Sequence, residues 1–228
     1  FAPFGFFREA YHDAWLDDED PRWYRFMHAG KFLLSWRVVE ALPTFAELFA
    51  DDDMQNWVEW YEEDLFHFGP PAIPHLARVF TMESDHKWHY GRALAGSTLT
   101  RIATYYPDTR DEIIAILNSQ LPSLEDARAL GDIDDMWSSV AHELGSLADE
   151  SSRDTVLALD DADLIYDDFF ERQTYLRELK RGFRAKTPPP PYDISSDYRQ
   201  RYKYHQENLE REAQEKKRQQ EERIRKAQ

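Results

Sequence analysis

The chain contains no cysteine. That removes disulfides, thiolate zinc sites and cysteine nucleophiles together, and it is compatible with a reducing cytoplasm, the expected location. Glycine is scarce, at 8 of 228 residues, which favours helices over a turn-rich β architecture. No run of 18 or more apolar residues occurs, so no segment reads as a membrane-spanning helix. The apolar opening Phe1-Ala2-Pro3-Phe4-Gly5-Phe6-Phe7 lacks the basic stretch of a signal peptide, and a chain starting at Phe1 reads as a fragment or processed product. The nucleophile elbow G-x-S-x-G, the dinucleotide fingerprint G-x-G-x-x-G and the P-loop are all missing, so no local motif supports those chemistries.

Positive charge is also short. Against 44 Asp and Glu stand 28 Lys and Arg, for a net charge of −16. The deficit is uneven, because residues 197–228 hold 10 basic and 7 acidic side chains, which makes this tail +3 and the remainder −19. An acidic body repels the phosphate backbone, so nucleic acid is an unfavourable partner and a basic protein a favourable one.

What the chain does have is a phrase written twice. Ala41-Leu42-Pro43-Thr44-Phe45-Ala46-Glu47-Leu48-Phe49 returns 31 residues later as Ala72-Ile73-Pro74-His75-Leu76-Ala77-Arg78-Val79-Phe80. A fixed-period echo is the mark of stacked helical repeats, with each proline in an opening turn where its missing N–H costs nothing. A second echo pairs Arg110-Asp111-Glu112-Ile113-Ile114-Ala115-Ile116 with Arg153-Asp154-Thr155-Val156-Leu157-Ala158-Leu159, offset by 43. Hydrophobic residues make up 42% of the chain, enough to bury a core.

The apolar periodicity predicts helices over 23–38, 41–50, 54–68, 72–81, 88–106, 113–121, 133–148 and 153–160, with a loop over 122–132. Thr109-Arg110-Asp111-Glu112 reads as a capping box. Four helix pairs follow, roughly 22–50, 54–81, 88–121 and 133–160, closed by a helix near 170–184. Lys186-Thr187-Pro188-Pro189-Pro190-Pro191 then reads as a semi-rigid polyproline spacer. Ser195–Gln228 reads as a solvated charged helix bearing a weak docking stripe at Tyr198, Tyr202, Leu209 and Ala213. Its last fifteen residues have no heptad, which disfavours a coiled coil.

The stretch Phe68-Gly69-Pro70-Pro71-Ala72-Ile73-Pro74-His75-Leu76, followed by Gly91-Arg92-Ala93-Leu94-Ala95-Gly96-Ser97-Thr98-Leu99-Thr100-Arg101-Ile102-Ala103, resembles a HEAT-like repeat. Segments 28–49 and 105–121 look like the flanking units of an uncharacterised bacterial HEAT-like domain family. The resemblance covers about residues 22–184. It implies an all-α chain: an α-solenoid of about four pairs plus a capping helix, usually acting as a scaffold. In that family Arg92 matches an arginine that ties neighbouring units. The expected organisation is an N-terminal extension over 1–21, the solenoid over 22–184, a Pro-rich linker over 185–194 and a charged C-terminal helix over 195–228.

Few residues suggest chemistry. His142-Glu143 looks like one of the His-Glu dipeptides with which HEAT-type deoxyhypusine hydroxylases hold two irons, but that enzyme needs several and this chain has one. Glu59, Glu63 and His67 fall at i, i+4 and i+8 of the expected 54–68 helix, a carboxylate–histidine spacing that needs matching ligands from facing helices. A metal-dependent hydroxylase- or lyase-like enzyme built on these two groups is therefore the alternative to a non-enzymatic scaffold without cofactor or metal. The run Asp160-Asp161-Ala162-Asp163, with Asp167-Asp168, suggests hard-cation binding but lacks the turn glycine of a calcium loop and has Leu164-Ile165 at its centre. Like Asp17–Asp20 and Asp51–Asp53, it reads as helix-terminus acids. Trp23, Trp36, Trp88 and Trp137 read as core, whereas Trp57 and Trp60 lie on a second stripe suited to an interface. With Glu63 beside them, and Tyr198 and Tyr202 on the tail, these are the expected partner-binding residues. The tail helix could also support self-association.

Overall fold

The computed structural model describes residues 23–51, 58, 60–61, 64–83, 89–130, 135–166, 170–188, 190 and 192–227. Its α-helices are α1 (Trp23–Ser35), α2 (Leu42–Phe49), α3 (Ile73–Phe80), α4 (Tyr90–Tyr105), α5 (Arg110–Asn118), α6 (Leu124–Leu130), α7 (Asp135–Ser146), α8 (Arg153–Asp161), α9 (Arg172–Arg181) and α10 (Ile194–Ala227). Among the described residues there is no strand. The chain is all-α.

The two echoes belong to one structural series. Three-residue 3-10 turns at Val39–Ala41, Pro70–Ala72, Pro107–Thr109 and Glu150–Ser152 run directly into α2, α3, α5 and α8. Ahead of each turn stands one non-helical residue: Val38, Gly69, Tyr106 or Asp149. Gly69 has φ 66° and ψ −147°, a combination that only glycine adopts cheaply. Val38 to Gly69 spans 31 residues, Gly69 to Tyr106 spans 37, and Tyr106 to Asp149 spans 43. The fourth residue of every short helix (Phe45, Leu76, Ile113, Val156) is fully buried. Removing a Phe from such a site costs about 3–5 kcal/mol.

Packing runs between neighbours along the series. α2 packs on α3 and α4, α3 on α4, α4 on α5 and α7, α5 on α7, and α7 on α9. The α2–α4 approach is so close that a Cβ on Gly91 would lie 1.7 Å from the Phe49 carbonyl oxygen. Two arginines tie helix ends to neighbouring elements. Arg92, buried near the start of α4, donates from Nε to the Phe80 carbonyl at 3.0 Å and from Nη2 to Gln120 Oε1 at 2.9 Å. It thereby joins the end of α3 to the segment after α5. Arg110 donates to the carbonyls of Leu147 (3.1 and 2.8 Å) and Ala148 (3.1 Å) just past α7. Both satisfy acceptors that a helix leaves open at its C-terminus.

Several expectations need correction. The segment expected as one continuous helix over 54–68 is broken where it is described: Val58 is helical, but residues 60, 61 and 64 are in turns. Tyr61, Asp64 and His67 bond back three residues, and Leu65–Phe68 is a 3-10 turn. Leu65, Phe66, His67 and Phe68 are all buried, a demand that an amphipathic helix with one wet face cannot meet. The expected 122–132 loop contains α6, whose start is capped by Ser123: its Oγ accepts from the Asp126 N–H and donates to the Asp126 carboxylate at 2.6 Å. Thr109 does not cap α5; its hydroxyl donates to the Tyr106 carbonyl at 2.7 Å within a 3-10 turn. Trp36 is no core residue, because α1 stops at Ser35, Arg37 enters left-handed backbone (φ 50°), and the Trp36 side chain is left 60% exposed. Trp137 is buried as expected, while the side chains of Trp23 and Trp88 lie outside the described residues.

The chain divides into two compact units, Phe1–Pro191 and Tyr192–Gln228. In the first, Trp137, Ala141, Val156, Leu159, Tyr175 and Leu179 form a core joining α7, α8 and α9. In the second, α10 carries Tyr202, Tyr204 and Leu209 exposed.

Candidate functional site

His142 and Glu143 sit side by side on α7, and adjacent helical residues point about 100° apart. The structure separates them accordingly, with His142 exposed and Glu143 half-buried. Burial pushes the Glu143 carboxyl above its ordinary value against the opposing pull of His142. Thr100 of α4 lies beside that carboxyl, but its buried hydroxyl falls short of hydrogen-bond geometry. His67 is buried, and burial holds its imidazole below 6.5 despite Asp64, with Arg37, Arg101 and Lys31 pressing the same way. Glu59 and Glu63, its expected companions, lie outside the described residues. Among the described residues no group of three His, Asp or Glu side chains converges in a metal-binding arrangement.

The residues around His67 have a structural logic. Lys31, with a side chain only 4% exposed, pairs with Asp64 at 2.6 Å. The Tyr61 hydroxyl donates to the Phe26 carbonyl at 3.0 Å, and its ring meets Phe26 and Phe45 edge-on. These contacts hold Tyr61 and Asp64 against α1. Breaking one partner of a buried ion pair costs about 3–5 kcal/mol, so Lys31 and Asp64 are accounted for by the fold.

Of the expected partner-binding residues, Trp57 and Glu63 lie outside the described residues, Trp60 is half-buried in a turn, Tyr198 is half-buried and Tyr202 is exposed. Sequence reading missed a different aromatic surface. Phe32, Trp36 and Val39 are all exposed, and the rings of Phe32 and Trp36 lie 5.5 Å apart. The signal was the i, i+4 spacing of Phe32, in α1, and Trp36, just past its end at Ser35. Comparison with protein-family models, with curated proteins and with solved structures returns no match. No described helix is long and apolar enough to cross a membrane.

Proposed function

We propose that the chain is a cytoplasmic protein–protein interaction scaffold. In this reading it is a HEAT-like α-solenoid whose acidic surface engages a basic protein, with α10 as a second contact that binds the partner or another copy beyond the Pro-rich segment. The recurring turn-and-helix unit, the neighbour-to-neighbour packing and the Arg92 tie support the solenoid reading. The observation that carries the binding role is the exposed Phe32–Trp36 pair. Aromatic side chains of this kind dominate interface energetics when a partner desolvates them. The net charge of −16 favours a basic partner and accelerates encounter, an effect that salt screens beyond about 8–10 Å. No catalytic role is assigned.

The test is affinity purification from native cells, followed by affinity measurement with the recovered partner and the Phe32→Ala/Trp36→Ala variant. Trp36 is 60% and Phe32 42% exposed, so the variant should keep a melting temperature near the wild-type value. Loss of affinity by about tenfold or more is expected. Undiminished affinity in the folded variant removes this surface from the proposal.

A further inference from the structure

Gly182, with φ 74°, ends α9, and the chain leaves it without helix or turn through residue 188. It does not run free into solvent. The Lys186 N–H donates to the Thr104 carbonyl at 2.8 Å, in the last turn of α4, where no helical N–H is due. The Lys186 ammonium sits 5.8 Å from the centre of the Tyr105 ring, and the Phe183 ring lies 5.0 Å from the Arg110 guanidinium. So residues 183–186 lie across the corner between α4 and α5.

The receiving groups are fixed independently of this segment. Tyr105 stacks on Phe66 at 5.0 Å, nearly parallel. Arg110 is held by the Leu147 and Ala148 carbonyls. The negative end of the α4 dipole favours a cation where Lys186 lies. The segment itself is lightly held, because Gly182, Arg184, Ala185, Lys186 and Thr187 are all exposed and only Phe183 is half-buried. A rigid receptor with a weakly buried occupant is the arrangement of a peptide site filled in cis.

We infer that the α4–α5 corner is a docking site for an extended segment bearing an aromatic residue three positions before a lysine, and that residues 183–186 are its built-in competitor. The site rests on the scaffold reading and supplies its partner chemistry: an extended, basic, Phe-x-x-Lys segment of another protein. Opening needs no rearrangement of α4 or α5. The apparent affinity for an outside segment is the intrinsic one reduced by the fraction of time the corner is vacant.

The experiment uses the full chain and a fluorescent peptide copying Lys180–Pro188. Peptide anisotropy is measured against wild type and the Phe183→Ala/Lys186→Glu variant, with melting temperatures confirming that both are folded. Binding at least about tenfold tighter to the variant is expected, weakening with salt. A scrambled peptide should show no such gain. Equal affinity for both proteins, or no binding to either, overturns the inference and makes residues 183–186 a static connection. That outcome leaves the Phe32–Trp36 test untouched, so the two failures are distinguishable.

Discussion

The turn-and-helix unit is built in two chemistries. In the first two occurrences proline does the work: Pro43 and Pro74 open α2 and α3, and Pro70 and Pro71 form the turn before α3. In the last, hydrogen bonds do it. Asp149 accepts from the N–H groups of Ser151 and Ser152 and from Asn118 Nδ2, tying the turn before α8 to the end of α5. Arg110, the first residue of α5, reaches across to the carbonyls past α7. One geometry is thus reached by a ring that restricts φ in every state of the chain, or by polar contacts that exist only when neighbours are in place. The proline-opened units are specified locally, whereas Asp149 and Arg110 tie their units to neighbouring helices.

The contrast can be broken most severely at Gly91. Gly91→Ala drives a Cβ into the Phe49 carbonyl, which only a shift of α4 against α2 relieves. A loss exceeding about 3 kcal/mol, or insoluble expression, is expected, measured by urea unfolding. Next come the equivalent core positions. Phe45→Ala should cost about 3–5 kcal/mol and Val156→Ala about 1.5–3. Equal costs would show that the two halves are filled alike.

Arg110→Met should cost about 1–3 kcal/mol by orphaning the Leu147 and Ala148 carbonyls. Its counterpart Arg153→Met loses a half-exposed pair with Glu150 at 3.7 Å and should cost about 0.5 kcal/mol. A smaller loss at Arg110 than at Arg153 would dissolve the coupling between turns.

Asp149 adds a pH signature. Burial alone would raise its carboxyl, but hydrogen bonds from Ser151, Asn118 and Ser152 outweigh that and hold it below 3.8. A carboxyl lowered on folding stabilises fully above the unfolded value and loses that stability as pH falls from there through the folded value. Asp149→Asn should therefore cost about 1–2 kcal/mol at pH 7 and nothing in strong acid. A gap that persisted below the folded value would mean the charge is not what matters. Pro74→Ala is also a mild change, costing about 0.4–1 kcal/mol and independent of pH. Chemical unfolding across pH reads both.

The doubled phrase was legible because proline and the buried Phe45/Leu76 and Phe49/Phe80 positions recur at identical spacing. Its link to the second echo was not. Val38, Gly69, Tyr106 and Asp149 share a place before the turn but no side-chain type, so the recurrence is one of backbone shape. α6 escaped because seven residues with one buried Ala127 carry little periodicity, although Ser123 and Asp126 spelled its cap. Trp36 was misplaced by extending a 3.6-residue period past the end of the helix. His142 and Glu143 were visible as neighbours, but which one the fold would bury depended on α4. The docking corner was hidden because Lys186 reads as the first residue of a proline spacer, whereas its N–H is committed to Thr104.

The intervals between successive turns, 31, 37 and 43 residues, have a consequence for engineering. The turn and its short helix recur while each interval grows by six residues, so length is free where the turn is not. The longest interval holds α6, between α5 and α7. Grafted loops, reporters and new termini belong there, because that is where this architecture already accommodates inserted chain.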